Sequence, residues 1–193
     1  MEHLSMIPFL TACLYWGGVA VNASIVKRRS GKSPSLKPRT KTDWFIFLPW
    51  ITAISLWFAS SWIMDGEDRL FHSPIAVVLG MILIALGFLG TWWCYISMGN
   101  AWAISVNEGQ TNRLVTTGPF GLARHPIYVL QWFIVLGNSL LFPVLPLFIA
   151  LVIIAASMHW KAKIEEVALR KIFGEDYDAY SQKTGRFLPF NCC

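Results

Sequence analysis

An all-α integral membrane protein with five transmembrane helices and a cytoplasmic C-terminal region is the fold class this sequence predicts. Of its 193 residues 55% are hydrophobic and 14% charged, too apolar for an ordinary soluble domain. The charges cluster between long uncharged runs, and those runs have the length a bilayer crossing takes, roughly 20 residues. One membrane domain follows from that distribution. The net charge of +5 calls for no nucleic-acid partner, because seven of the 16 basic residues fall between Lys27 and Lys41, and a basic loop beside membrane spans is ordinary topology. The four cysteines show no disulfide or zinc spacing: Cys13 and Cys94 sit in apolar runs, and Cys192 and Cys193 read as an accessible thiol pair.

The first span covers residues 4–26. No basic segment precedes it and its positive flank comes after, so a cleavable signal peptide is not expected. Lys27, Arg28, Arg29, Lys32, Lys37, Arg39 and Lys41 follow without an acid. The positive-inside tendency makes this loop cytoplasmic and puts the N-terminus outside; contact with lipid headgroups is its second possible use. The next span, 44–64, carries Trp44, Trp50, Trp57 and Trp62, the outermost two placed as interfacial anchors. Residues 65–69 form a short, net acidic outside turn. The third span, 75–98, contains Gly80, Gly87 and Gly90, which allow neighbouring helices to approach closely. Trp92, Trp93 and Tyr95 near its inner end suit a ligand wall or, more commonly, an aromatic belt.

The chain returns to the cytoplasm at Gly99, and residues 113–132 then organise everything after them. Gly118 and Pro119 mark a turn and Gly121 permits a second bend. Pro126 fits the first turn of a helix, where its missing N–H costs little. The free N–H groups and positive dipole end of that helix lie beside Arg124 and His125, an arrangement that suits a small anion. A basic collar at the start of a membrane helix is the plainer explanation. Residues 126–160 contain no Asp, Glu, Lys or Arg, and Pro143 and Pro146 interrupt them. That pattern predicts a helical hairpin with arms at 126–142 and 144–160, each of about 17 residues, near the lower limit for spanning. A re-entrant hairpin that stops short of the far face is the alternative.

From Lys161 the pattern becomes a polar amphipathic helix over 161–173, with Ile164, Val167, Ala168 and Ile172 as its apolar stripe and Gly174 as its cap. A shorter helix around 175–182 carries Tyr177 and Tyr180. Residues 184–190 turn back toward the membrane surface beside the loop at 113–125.

Polar residues that topology leaves unexplained gather at 113–128 and 165–186. Glu165 and Glu166 point about 100° apart on a helix. Glu166 is spaced to pair with Arg170 on a solvated face. Glu165 shares its side with Lys161, Ala168, Leu169 and Ile172, which favours it for ligand contact over a plain Lys161 pair. His125 suits a donor to an anion, a general base or an interfacial residue. Arg124 and Arg186 suit an acidic substrate group, or simply the interface. Metal binding is not expected, since no second His or Cys lies at ligand spacing and His159 is remote. No serine nucleophile elbow, phosphate-binding glycine loop or dinucleotide fingerprint occurs.

Gly118, Pro119 and Phe120, then Arg124, His125, Pro126 and Tyr128, a hairpin, Glu165 and Glu166, then Phe173, Gly174, Tyr177 and Tyr180, then Arg186, Phe187 and Pro189 occur in that order. This pattern resembles the isoprenylcysteine carboxyl methyltransferase family, and the related membrane phospholipid methyltransferases share much of it. The likeness covers roughly residues 99–190. It implies a single membrane methyltransferase domain over residues 1–193, with cytoplasmic catalytic segments at 99–125 and 161–193. It also implies S-adenosylmethionine as cofactor and a lipophilic small-molecule or lipid-linked acceptor arriving sideways from the bilayer. The family's cofactor residues map to Leu114, Val115, Gly118, His125, Tyr128, Glu165 and Glu166. Glu165 also falls among the catalytic positions, with Arg186 and Arg124 orienting an acidic acceptor. Two positions depart: many members have Gly and then Trp where this chain has Leu130 and Gln131. The eukaryotic enzymes carry additional N-terminal spans, so a membrane-resident acceptor other than isoprenylcysteine is expected. Phospholipid N-methylation with Glu165 or His125 as base, small-thiol S-methylation, an NADPH-linked membrane sterol reductase and a non-catalytic scaffold are the alternatives.

Overall fold

Helix formation follows the apolar runs closely. The computed structural model describes residues 5–31, 41–63, 68–102 and 113–189. Its helices are α1 (Ile7–Ser30), α2 (Lys41–Ile63), α3 (Pro74–Met98), α4 (Pro126–Leu141), α5 (Leu145–Phe173) and α6 (Glu175–Lys183), with short 3₁₀ turns at Gly99–Ala101 and Gly118–Gly121. Among the described residues α1, α3 (with its 3₁₀ extension) and α5 are long and apolar enough to cross a membrane, and α4 is a shorter apolar helix. Met64 of the second span, residues 32–40 of the basic loop, 65–67 of the acidic turn and 103–112 of the segment at 99–125, Phe190 and the Cys192, Cys193 pair lie outside the described residues.

Helix ends obey local chemistry. Ser73 caps α3 by accepting from the Ala76 N–H at 3.3 Å, and Pro74 takes the first helical position, where its missing donor is harmless. α1 runs beyond the apolar stretch: Lys27, Arg28 and Arg29 form its last turn, and Gly31 closes it at φ 69°, placing cations against the negative dipole end. Gly174 ends α5 at φ 53°, as the sequence predicts.

The interior packs at close range. A Cβ on Gly80 would stand 2.6 Å from the Gly137 carbonyl oxygen, and one on Gly137 equally close to that of Gly80. Gly87 and Gly90 accept Leu130 in the same way, with Ile134 also against Gly87. The glycine face of α3 thus lets α4 run antiparallel along it with backbones nearly touching. Thr11 of α1 donates to Asn138 of α4 at 3.0 Å, and the Phe9 N–H donates to Ser61 of α2 at 3.1 Å. Trp57, Ile134, Phe142, Leu147 and Ile154 are fully enclosed between α1, α2, α4 and α5. The outer surface is apolar instead: Ile75, Leu79, Ile82, Leu86 and Leu89 of α3 are exposed. Trp44 and Trp62 are exposed too, in keeping with interfacial anchoring.

The hairpin tip reaches the end of the bundle where the α2–α3 connection lies. The Leu70 N–H donates to the Pro143 carbonyl at 2.8 Å, and the Arg69 guanidinium sits 5.1 Å from the Phe142 ring centroid. α3 therefore runs from that connection to the opposite end, and α4 runs back along it to the hairpin tip.

Two sequence expectations change. No break separates Trp160 from Lys161, so the predicted amphipathic helix is the continuation of α5, whose 29 residues extend about 44 Å. The turn to polar composition marks a change of surroundings, and nothing there terminates a helix. Second, Ile164 and Val167 face outward, continuing a stripe of exposed Leu145, Ile149, Val152 and Trp160. The face turned inward carries Ala162 and Glu166, because a polar site lies there.

Candidate functional site

At the end of the bundle opposite the hairpin tip, four elements converge: residues 113–125, the first turns of α4, the outer half of α5, and α6 with its tail. Pro126 opens α4 and makes His125 its N-cap residue. Gly118 turns the preceding loop at φ 63°, and a Cβ there would meet the Ser97 hydroxyl at 2.8 Å. Both conformation and space demand glycine. The tail then lies beside the loop. Ala123 and Gly185 form a parallel bridge, the Arg124 N–H donates to the Gly185 carbonyl at 2.9 Å, and the His125 N–H to that of Arg186 at 3.0 Å. Tyr180 closes the seam by donating to the Phe120 carbonyl at 2.6 Å.

The two glutamates divide the labour. Glu166 is buried and accepts from Arg186 through Nε at 2.9 Å and Nη2 at 2.6 Å. Arg124 Nε adds a third bond at 3.0 Å, while its Nη1 donates to the Ser181 and Thr184 carbonyls. Burial raises the Glu166 carboxyl, but contacts from His125, Arg186 and Arg124 outweigh it and hold it well below the usual carboxylate range. Paired, forked hydrogen bonds of this kind are what offset the cost of burying such a charge. The expected partner Arg170 is exposed and binds Asp178 of α6 at 2.6 Å instead.

Glu165 points another way. It accepts from the Tyr128 hydroxyl at 2.8 Å and faces Lys161 Nζ at 3.7 Å. His125 stands between the acids. Its Nδ1 is 3.6 Å from Glu165 and its Nε2 3.4 Å from Glu166, the latter without hydrogen-bond alignment. The imidazole is stacked on Tyr128 with 3° between planes. The anions beside the N-cap of α4 are thus the protein's own carboxylates. His159 meets His125 only through Phe187, which lies 6.1 Å from each ring. No group of three or more His, Cys, Asp or Glu able to hold a metal occurs among the described residues.

A cavity opens on this cluster. Leu114, Val115, Arg124, His125, Tyr128 and Glu165 line it; Gly118, Glu166 and Arg186 do not. Three aromatic residues of the first two predicted spans, Tyr15, Trp16 and Trp50, line it too. Tyr95 lines it as well, whereas Trp92 and Trp93 are exposed. Gln131 and Tyr177 also line it, and the Gln131 amide nitrogen and Tyr177 hydroxyl are buried without partners among the described residues. Burial pushes the Tyr177 phenol up to about 12, with Glu166 adding to it. A polar residue inside a charge-free run was the available signal for Gln131. Period alone cannot separate a pocket-facing tryptophan from a lipid-facing one.

A family model described as phospholipid methyltransferase matches residues 75–176, more than half of the chain. The chain belongs to this family. The match begins in α3 and ends in α6, so this phospholipid methyltransferase-family region contains the glycine face, the cavity loop and both glutamates. The chain is 29% identical over 147 residues to a cobalt-zinc-cadmium resistance protein of Cupriavidus metallidurans, an overlap of 76% of this chain and 62% of that one. It is 35% identical over 89 residues to a protein-S-isoprenylcysteine O-methyltransferase of Tribolium castaneum, covering 45% of this chain and 31% of that enzyme. This chain therefore spans less than two thirds of either relative. The solved structure of the eukaryotic intramembrane Ras methyltransferase, isoprenylcysteine carboxyl methyltransferase, superposes with a TM-score of 0.57 at 19% identity, covering 97% of this chain and 71% of that one. The family's membrane fold is common to both.

Proposed function

We propose that the chain is an S-adenosylmethionine-dependent methyltransferase acting on a lipophilic, membrane-resident acceptor. The observation that carries this reading is one cavity with a lining both charged and aromatic. Arg124, His125, Glu165 and Lys161 line it together with Tyr15, Trp16 and Trp50 of the apolar helices. The residues fit a zwitterionic sulfonium nucleoside: charges of both signs, aromatic faces for a cation, and buried donors at Gln131 and Tyr177 that lack acceptors among the described residues. When bound, that cofactor supplies an electrophilic methyl group. The chain's own residues then bind, orient and enclose. Glu165, fixed by Tyr128 and His125, is the cavity-facing carboxylate for cofactor contact. Leu114, Val115 and Gly118 shape the loop above it. Arg124 orients an acidic acceptor, and Arg186 positions both through Glu166. Alignment of two reactants in a dry site supplies most of the acceleration such a displacement needs.

In this reading residues 1–193 form one domain with five crossings. Residues 99–125 and 161–193 face the cytoplasm, and the N-terminus lies outside; the basic last turn of α1 supports that orientation. An amine acceptor is the second reading. The family model's description favours it, and Glu165 and His125 at the cavity are candidate bases for an amine that must shed its proton before attack.

Membranes containing the protein, incubated with methyl-labelled S-adenosylmethionine, test the proposal. Label in a lipid-phase product supports it. Label absent above membranes carrying a Glu165→Ala, His125→Ala chain contradicts it.

A further inference from the structure

Lys161 holds its ammonium inside the cavity wall against three groups from three helices. Its Nζ lies 5.7 Å from the centroid of the Trp50 ring and 5.5 Å from that of Tyr128, both within the ~6 Å reach of cation–π attraction. Glu165 Oε1 stands 3.7 Å away. Trp50 belongs to α2, Tyr128 to α4 and Glu165 to α5, and all four residues line the same cavity. Two of the three walls are fixed without the lysine. The Tyr128 hydroxyl is bonded to the other Glu165 oxygen at 2.8 Å, and its ring is stacked on His125. The occupant is the flexible part, a compact charge on a stem of four carbons.

We propose that Trp50, Tyr128 and Glu165 form a seat for a small soft cation, the sulfonium of the methyl donor, and that the Lys161 ammonium occupies this seat until the donor displaces it. This assignment rests on the methyltransferase reading above. Two aromatic faces and one carboxylate attract a sulfonium for the same electrostatic reasons that they attract the ammonium. A neutral thioether keeps a sulfur–aromatic contact but loses the attraction of the carboxylate and of the ring faces for a positive charge. S-adenosylmethionine and S-adenosylhomocysteine differ by that charge and one methyl group, so the ratio of their affinities reads the seat directly.

The test is calorimetric titration of the full-length, detergent-solubilised protein with each nucleoside in turn. Lys161→Met removes the competing cation and should raise the preference for S-adenosylmethionine over S-adenosylhomocysteine by about fivefold. Trp50→Leu removes one wall and should lower that preference by about threefold. Lys161→Arg keeps the charge and should leave it near the wild-type value. A partly unfolded fraction reduces the stoichiometry of both titrations alike and leaves the ratio intact. The seat is overturned if both nucleosides bind and Lys161→Met leaves their ratio unchanged, or if Trp50→Leu weakens both equally. If wild-type protein binds neither nucleoside, the methyltransferase reading fails first and takes the seat with it.

Discussion

Arg186 grips Glu166 with two parallel bonds, Nε at 2.9 Å and Nη2 at 2.6 Å, and so fastens the C-terminal tail to the far end of a membrane helix. Arg124 takes the same carboxylate from the loop side. One buried acid therefore joins three separate stretches of chain. Removing it leaves two arginines and His125 facing each other. Glu166→Ala should cost about 3–5 kcal/mol, the usual penalty for orphaning a buried charge. Arg186→Ala, whose arginine is partly exposed, should cost less, about 1–3 kcal/mol. Apparent melting temperatures in one detergent should fall in that order.

The same acid carries a pH signature. Its carboxyl is held below its ordinary value of 4.5 in the folded protein, so its contribution is complete above that value and lost as pH falls below it. The stability gap between wild type and Glu166→Gln should be full at pH 7 and shrink toward pH 3. A gap that stays constant or widens on acidification would show that the charge of Glu166 is not what matters.

Close packing of α3 on α4 gives a sharper contrast. A valine at Gly137 would press on the Gly80 carbonyl at 2.6 Å and on Ile84 at 2.8 Å. Overpacking of that kind costs about 1–3 kcal/mol. Gly17 has nothing within 4 Å, and Gly17→Ala in mid-helix should be neutral or stabilising by about 0.5–1 kcal/mol. Thermal unfolding of the two variants side by side checks both signs.

Gln131 offers a trade between stability and binding. Its amide nitrogen is buried at the cavity without a partner among the described residues, and such groups cost about 1–3 kcal/mol. Gln131→Leu should raise the melting temperature of the ligand-free protein. It should also reduce the further rise produced by S-adenosylhomocysteine. A larger ligand-induced rise in the variant would remove Gln131 from the binding surface.

Much of this was legible from the residues. Hydrophobic runs located the helices, Gly174 and Pro126 located two of their ends, and the return of the chain beside the loop, seen at Gly185 and Arg186, followed from the apolar, turn-rich character of residues 184–190. The partner of Glu166 was not legible. The i, i+4 rule sees Arg170 on the same helix, while the actual partners stand 42 and 20 residues away and are brought in by tertiary packing. The outward turn of Ile164 and Val167 was hidden for a related reason. An amphipathic stripe faces a protein core in water, but beside a bilayer the apolar face turns out and the polar one packs inward. Trp50 and Tyr15 were indistinguishable from their lipid-facing neighbours until α1 and α2 were set against Tyr128.

Titration of the detergent-solubilised protein with S-adenosylhomocysteine tests the central claim most directly, that the loop, the start of α4 and the outer half of α5 enclose one nucleoside site. The account predicts saturable binding, weakened about tenfold or more by His125→Ala and by Glu165→Ala. Saturable binding that both variants leave unchanged, or none at all in the wild-type chain, would contradict it.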